Sequence, residues 1–142
     1  MKAHVFALCL SLSLCLGLPL PALAFASPFT DVQETSPYYD AILWAAETGV
    51  TNGTTASTFS PDAPVTREQL AAMLYRYAAF AGQSTAASGG LGGFTDASAI
   101  SSWAREAAAW VSERGIITGT DGNRFDPQGQ ATRAQLAAML CR

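Results

Sequence analysis

Two arginines occupy equivalent places in this sequence, each inside a Thr-Arg-x-Gln pattern, at residues 66–69 and 132–135. A threonine followed three residues later by glutamine is typical of a capping box at the start of a helix. Arg67 and Arg133 would then be the first helical residues. A guanidinium offers a planar fork that pairs with a carboxylate, and a helix start adds backbone N–H groups and a positive dipole end. The pattern therefore predicts a small anion site, with free N–H groups, at each helix start.

A structural role is the alternative for both arginines. Each guanidinium could instead pair with an Asp or Glu of the neighbouring repeat; Asp62 and Glu68 lie near Arg67 in the sequence, and Asp126 lies near Arg133. The residues alone leave the two interpretations open.

The two patterns belong to a longer internal repeat. Residues 29–76 align with residues 94–142, at an offset of 65 residues at the start and 66 afterwards. The matched pairs include Phe29 and Phe94, Trp44 and Trp110, Gly49 and Gly115, Gly53 and Gly119, Phe59 and Phe125, and Met73 and Met139. The chain is therefore predicted to contain two copies of one structural unit.

Each copy reads as helix, loop, helix. In the first copy we expect Ser36 to cap a helix that begins at Pro37 and ends at Gly49. The second helix begins after Thr66, with a predicted apolar face of Leu70, Met73, Leu74 and Tyr77. In the second copy we expect a first helix from about Ser102 to Arg114, stopping at Gly115, and a second after Thr132. Because no run alternates with period two over strand length, the predicted fold class is all-α.

The remaining segments define four predicted regions: residues 1–26, 27–81, 82–93 and 94–142. The first has a basic start, an apolar run and small residues at its end, as in a cleaved signal peptide; we favour cleavage after Ala26, with Ala24 second. A retained membrane anchor is the alternative, but the apolar run is short for a span. Residues 82–93 are rich in glycine and serine and predict a flexible tether between the two repeats.

Removal of residues 1–26 limits the chemistry of the chain. The remainder has seven arginines, eleven acids, no lysine and no histidine, hence a formal charge of −4. This composition argues against nucleic-acid binding and against histidine-based catalysis. Cys141 has no second cysteine for an internal disulfide and is expected to be buried. We expect no enzyme, no cofactor and no metal, because no pair of carboxylates is marked and the loop at Asp121 fails the EF-hand pattern.

The tryptophans and glycines have two interpretations. Helical spacing among alanines favours core positions for Trp44 and Trp110, whereas Trp103 is equally suited to the core and to stacking on a sugar. The glycines are most simply helix stops and turns, a role compatible with lining a groove.

At these residues the chain resembles the S-layer homology family: the Phe-Thr-Asp start, the Gly-Val-x-x-Gly or Gly-Ile-x-x-Gly segment, and the Thr-Arg-x-Gln signature occur twice and in order. The resemblance implies a secreted protein of the bacterial cell wall or surface that binds a secondary cell wall polysaccharide non-covalently. That ligand often carries a pyruvate ketal. It also implies a groove between repeats in which the signature arginine contacts the ligand. Here those arginines are Arg67 and Arg133. The expected groove lining is Thr66, Thr132, Gly49, Gly53, Gly115, Gly119 and Trp103.

Family members commonly carry three repeats around a pseudo-threefold axis, so two repeats imply a partial bundle. Such a bundle would leave the surface for the third repeat uncovered and open to self-association. The alternative function is therefore an oligomerising structural surface protein, or a truncated fragment of a larger three-repeat protein without independent binding.

Overall fold

The structure, a computed structural model, describes residues 27–131 and residue 139. The predictions for the signal peptide, for the helix start at 132–135 and for Cys141 lie outside these residues. Three α-helices occur in the described part: α1 Tyr39–Glu47, α2 Arg67–Phe80 and α3 Arg105–Glu113, with 3₁₀ turns at Ala97–Ala99 and Ser102–Ala104. No strand occurs over this part of the chain, which agrees with the predicted class. None of the described helices is both long and apolar enough to cross a membrane.

Helix α1 begins two residues later than predicted. The Ser36 hydroxyl accepts a hydrogen bond from the Tyr38 amide at 3.2 Å, which makes a turn of residues 36–38 before the helix begins at Tyr39. The far end is as predicted, because Gly49 adopts a φ of +73°, the left-handed conformation that stops a helix.

Helix α2 begins as predicted, with a capping box in which the Thr66 hydroxyl accepts the Gln69 amide at 3.3 Å and the Gln69 side chain accepts the Thr66 amide at 3.0 Å. Its buried face is the predicted one in part, because Leu70 lies in the core and Leu74 packs against it. Tyr77 is exposed, and small residues are buried instead: Ala71, Ala72 and Ala78. Small side chains on this face let a second helix approach closely, which accounts for the difference.

The partner of α2 is α3, a helix of the other repeat. At their contact the ring of Tyr75 meets the ring of Trp110 edge-to-face, with centroids 5.8 Å apart. The main core lies around this contact and includes Val111, Ile117 and Phe125 of the second repeat. A smaller cluster of Phe29, Val32 and Ile42 lies in the first repeat. Helix α2 thus completes the core of the second repeat.

The segment 82–93 is not a free tether, contrary to the prediction. The amide and hydroxyl of Ser88 both donate to the Glu113 carboxylate, each at 2.9 Å. The Ser84 carbonyl accepts from the indole nitrogen of Trp110 at 3.1 Å. The segment lies against α3 because that helix presents polar groups that its backbone can satisfy.

Candidate functional site

Arg67 lies at the contact between the repeats. Its side chain is only 3% exposed, and its Nε donates to the Phe125 carbonyl at 2.7 Å. The guanidinium carbon is 5.8 Å from the centroid of the Phe125 ring, within cation–π range. Burial lowers the pKa of Arg67, and the charges of Asp126 and Asp96 oppose this effect. Within residues 27–131 the guanidinium has no carboxylate within 4.0 Å, so no close ion pair forms with Asp62 or Glu68. The charges of Asp126 and Asp96, which act on Arg67 from a greater distance, belong to the neighbouring repeat.

The backbone at the start of α2 is also occupied. The Arg67 amide donates to the Gly129 carbonyl at 2.8 Å, and the Glu68 amide donates to the Pro127 carbonyl at 3.1 Å. The prediction of free N–H groups at this helix start is therefore wrong. The loop of the second repeat satisfies the donors that a helix end leaves without a partner.

Glu68 completes the contact in a role that the sequence did not predict, since it was considered only as a partner of Arg67. Its buried carboxylate accepts three hydrogen bonds, from the Ser101 amide at 3.0 Å, the Ser101 hydroxyl at 2.8 Å and the Gln128 side chain at 2.8 Å. A buried carboxylate needs such partners to offset its lost hydration. The start of α2 is consequently buried against the second repeat and hydrogen-bonded to it through both backbone and side chains.

An open crevice of about 380 Å³ lies on another side of α2. It is lined by Thr51, Asn52, Gly53, Thr54, Gln69, Ala72, Met73, Arg76 and Trp103. Arg76 is half-buried, and no carboxylate of residues 27–131 lies within 4.0 Å of its guanidinium. Trp103, from the second repeat, is 54% exposed. The crevice therefore combines a cation and backbone of the first repeat with an accessible aromatic ring of the second.

Gly53 is required by its surroundings. Its φ is +75°, and a Cβ atom there would lie 2.5 Å from the Thr58 carbonyl oxygen and 2.6 Å from Cε1 of Phe29. A side chain cannot be accommodated at these distances, so the main chain itself forms this part of the crevice.

The other predicted groove residues lie elsewhere. Gly49 and Gly115 end α1 and α3, and a Cβ at either would meet open space. Gly119 lies against Phe94, because a Cβ atom at this glycine would be 2.9 Å from Cε1 of that ring. Thr66 serves as the cap of α2. Arg133 and Thr132 lie outside the described residues.

The three tryptophans differ in exposure. Trp110 is 4% exposed, as predicted for a core residue, whereas Trp44 is 44% exposed, so its predicted core position is wrong. The difference arises because α2 covers Trp110, while Trp44 makes an edge contact with Phe80 at 5.6 Å and stays open on its other side.

Arg76 was not identified from the sequence, although a signal for it existed. Gln69, Met73 and Arg76 follow one another at helical spacing and share one face of α2. Arg76 also aligns with Arg142 in the repeat. The local pattern around Arg67 is stronger, because it includes the capping box of Thr66 and Gln69.

The described part is thus an all-α module of the repeat class, with an open polar crevice and no mark of catalytic chemistry among its described residues. Residues 28–71 and 93–137 match the S-layer homology domain, and the chain belongs to this family. The domain is a non-catalytic anchoring module, found in proteins of the cell surface.

Curated relatives carry the same module within much longer chains. The chain is 33% identical over 82% of its length to an amylopullulanase of Thermoanaerobacterium thermosulfurigenes. It is 38% identical over 82% to an endoglucanase of Bacillus sp. (strain KSM-635), and 31% identical over 80% to the surface-layer 125 kDa protein of Lysinibacillus sphaericus. The chain spans only 6%, 12% and 10% of these relatives' own lengths. The relatives that are named as enzymes therefore owe their catalysis to other regions. No solved structure matches the chain.

Proposed function

We propose that this chain attaches to the bacterial cell wall by binding a secondary wall polysaccharide non-covalently, in the crevice between α2 and Trp103. The observation that carries the proposal is the placement of Arg76 in the same crevice as the exposed ring of Trp103 and the bare backbone of Gly53. Membership of an anchoring family supports the binding of a wall glycan.

The chemistry of the crevice favours an acidic sugar. A pyruvate ketal carries a carboxylate, which a guanidinium binds through two parallel hydrogen bonds. A sugar ring presents an apolar face that packs on an indole such as Trp103. The remainder of the chain after residue 26 has an excess of acids, so an anionic ligand needs a local cation, and Arg76 supplies it.

The two signature arginines have different proposed roles. The buried Arg67 positions α2, and through α2 it positions Arg76, because its hydrogen bond joins the helix start to Phe125. Arg133 remains a proposed contact for the ligand carboxylate, as the family resemblance implies. We also propose that the two repeats form part of a threefold arrangement of such units.

The test is sedimentation of the purified chain with cell-wall sacculi, before and after chemical removal of the wall polymer. We expect co-sedimentation only with walls that retain the polymer. Arg76→Ala should weaken binding about tenfold to a hundredfold, as expected for loss of a charge-assisted hydrogen bond. Arg105→Ala is the matched control, since Arg105 is an exposed arginine that does not line the crevice. Equal sedimentation after polymer removal, or normal binding by Arg76→Ala, would overturn the proposal.

A further inference from the structure

The second repeat carries a surface that receives the start of α2, here called the docking face. It consists of the carbonyls of Phe125, Pro127 and Gly129 and the side chains of Ser101 and Gln128. Each of these groups makes a hydrogen bond to Arg67 or Glu68, as described above. The docking face is therefore the set of second-repeat groups that bind Arg67 and Glu68.

The first repeat builds the same face. On the repeat alignment its counterparts are Phe59, Pro61, Ala63, Ser36 and Asp62. Loop 59–63 matches loop 125–129 at its left-handed residue, since Ser60 has a φ of 58° and its counterpart Asp126 has a φ of 55°. The turn that follows is also the same, because the Ala63 amide donates to the Ser60 carbonyl and the Gly129 amide to the Asp126 carbonyl, both at 3.0 Å.

The same kind of carboxylate bridge holds this loop in both repeats. Asp31 accepts from the amides of Phe59 and Ser60 at 2.8 and 2.7 Å. Asp96 accepts from the amides of Phe125 and Asp126 at 2.7 and 2.8 Å. The loop part of the counterpart face of the first repeat is therefore held in the same way as in the docking face.

The exposed surface next to the counterpart face continues over helix α1. Trp110 of α3 is buried beneath α2, whereas its counterpart Trp44 is exposed. The fully buried Ala104, just before α3, corresponds to Tyr38, which is 67% exposed. Where Glu68 fits between Ser101 and Gln128 in the second repeat, the first repeat has a crevice of about 380 Å³ lined in part by Ser36 and Asp62.

The charge of Asp62 on the counterpart face of the first repeat favours one kind of helix start over another. Asp62 stands where Gln128 donates to the Glu68 carboxylate, so a helix start that carries a glutamate would meet a like charge. The chain contains one other Thr-Arg-x-Gln segment, residues 132–135, and there Ala134 replaces the glutamate. Arg133 in that segment corresponds to Arg67, and Asp62 adds a negative charge to the face that would receive it.

We propose that the counterpart face of the first repeat binds residues 132–135 of a second copy of this chain, in a head-to-tail contact. Arg133 of one copy would donate to the Phe59 carbonyl of the next, as Arg67 does to Phe125. A contact of this type joins different surfaces of the two copies and so forms a ring or a chain of copies. It leaves the crevice of Arg76 and Trp103 free, so it is tested independently of glycan binding in that crevice. In an assembled copy, Arg133 is taken up by this contact and is not open to a ligand carboxylate.

The test is the molar mass of the purified full chain, measured by sedimentation velocity over about a hundredfold range of concentration. We expect the average mass to rise with concentration. Asp62→Lys should abolish the rise, since it places a cation against Arg133, and Asp121→Lys is the matched control at an exposed acid outside the face. Both substitutions are on exposed side chains, and circular dichroism checks that each variant is folded.

A charge exchange makes the test specific. Ala134→Glu alone should weaken association at least about tenfold, because it sets a carboxylate against Asp62. Adding Asp62→Gln should restore it, because the pair then reproduces Glu68 and Gln128. A chain that stays monomeric throughout the range, or an association unaffected by Asp62→Lys, would overturn the proposal.

Discussion

The Nε of Arg67 in the first repeat donates to the carbonyl oxygen of Phe125 in the second repeat, across 58 residues of sequence, at 2.7 Å. The same guanidinium lies over the Phe125 ring. The signature arginine of one unit is thereby bonded to both the main chain and the side chain of a single residue in the next. This pair joins the two repeats and is the basis of the first prediction.

Arg67→Ala should lower the free energy of unfolding by about 2–4 kcal/mol, because it leaves a buried carbonyl without its donor and opens a cavity. Arg67→Lys should recover only part of this loss, since an ammonium lacks the planar fork and the Nε donor. Urea unfolding followed by circular dichroism measures both variants. The exposed Arg105→Ala should change the midpoint little, and a similarly small change for Arg67→Ala would contradict the structural role.

Gly53→Ala should destabilise the protein more than Gly49→Ala. Both residues have a positive φ, +75° and +73°, so both substitutions carry the strain of about 1 kcal/mol expected for a left-handed non-glycine residue. Only at Gly53 would the new Cβ also collide with the Thr58 carbonyl and the Phe29 ring, whereas at Gly49 it meets open space. Thermal melting of the two variants side by side measures the difference. Equal losses would show that the backbone conformation alone determines the requirement at Gly53.

Trp110→Ala should cost about 3–5 kcal/mol, in the range for removal of a buried aromatic side chain. Trp44→Ala should cost far less at low protein concentration, because 44% of that side chain is already exposed. Urea midpoints of the two variants give the comparison directly. A larger loss at Trp44 than at Trp110 would contradict the placement of α2 over α3.

The free energy of unfolding should fall at acidic pH, because Asp96 becomes protonated. Burial raises the pKa of Asp96, but hydrogen bonds from the Phe125 and Asp126 amides and the charge of Arg124 together lower it below the ordinary value. A carboxylate with a lowered pKa in the folded state stabilises the fold above its unfolded pKa of about 3.9, and this contribution is lost as pH falls through the folded value.

Melting temperatures measured from neutral pH to about pH 2.5 test this expectation. Asp96→Asn should be less stable than the unchanged protein near neutral pH, and the gap between them should shrink below about pH 4. The exposed Asp121→Asn serves as the control and should follow the unchanged protein. A gap that stays constant with pH would show that the charge of Asp96 is not involved.

Local signals in the sequence were sufficient for the end of α1 and the start of α2, although α1 begins two residues later than they predicted. Thr66 and Gln69 determine a capping box by themselves, and Gly49 stops a helix through its own backbone. The S-layer homology family was likewise identified from short motifs in order, and the match over 28–71 and 93–137 confirms it.

Packing partners could not be predicted in the same way. Trp44 and Trp110 occupy matching positions in the repeat, yet one is exposed and the other buried, because only Trp110 lies beneath a helix of the other unit. The occupied donors at Arg67 and Glu68 have the same origin, since the loop that satisfies them is about 60 residues away. Arg76 became a candidate only when the other side of α2 was known.

Helix α2 belongs to the first repeat by sequence but packs with the second, so the unit that repeats in the sequence is out of phase with the unit that is assembled in space. Grafting a single repeat, cut within residues 82–93, onto another protein would transfer α2 and leave α3 behind. A transplantable piece would have to run from Thr66 through the second repeat. In a chain with further repeats of this kind, the second helix of each repeat would pack against the repeat that follows it.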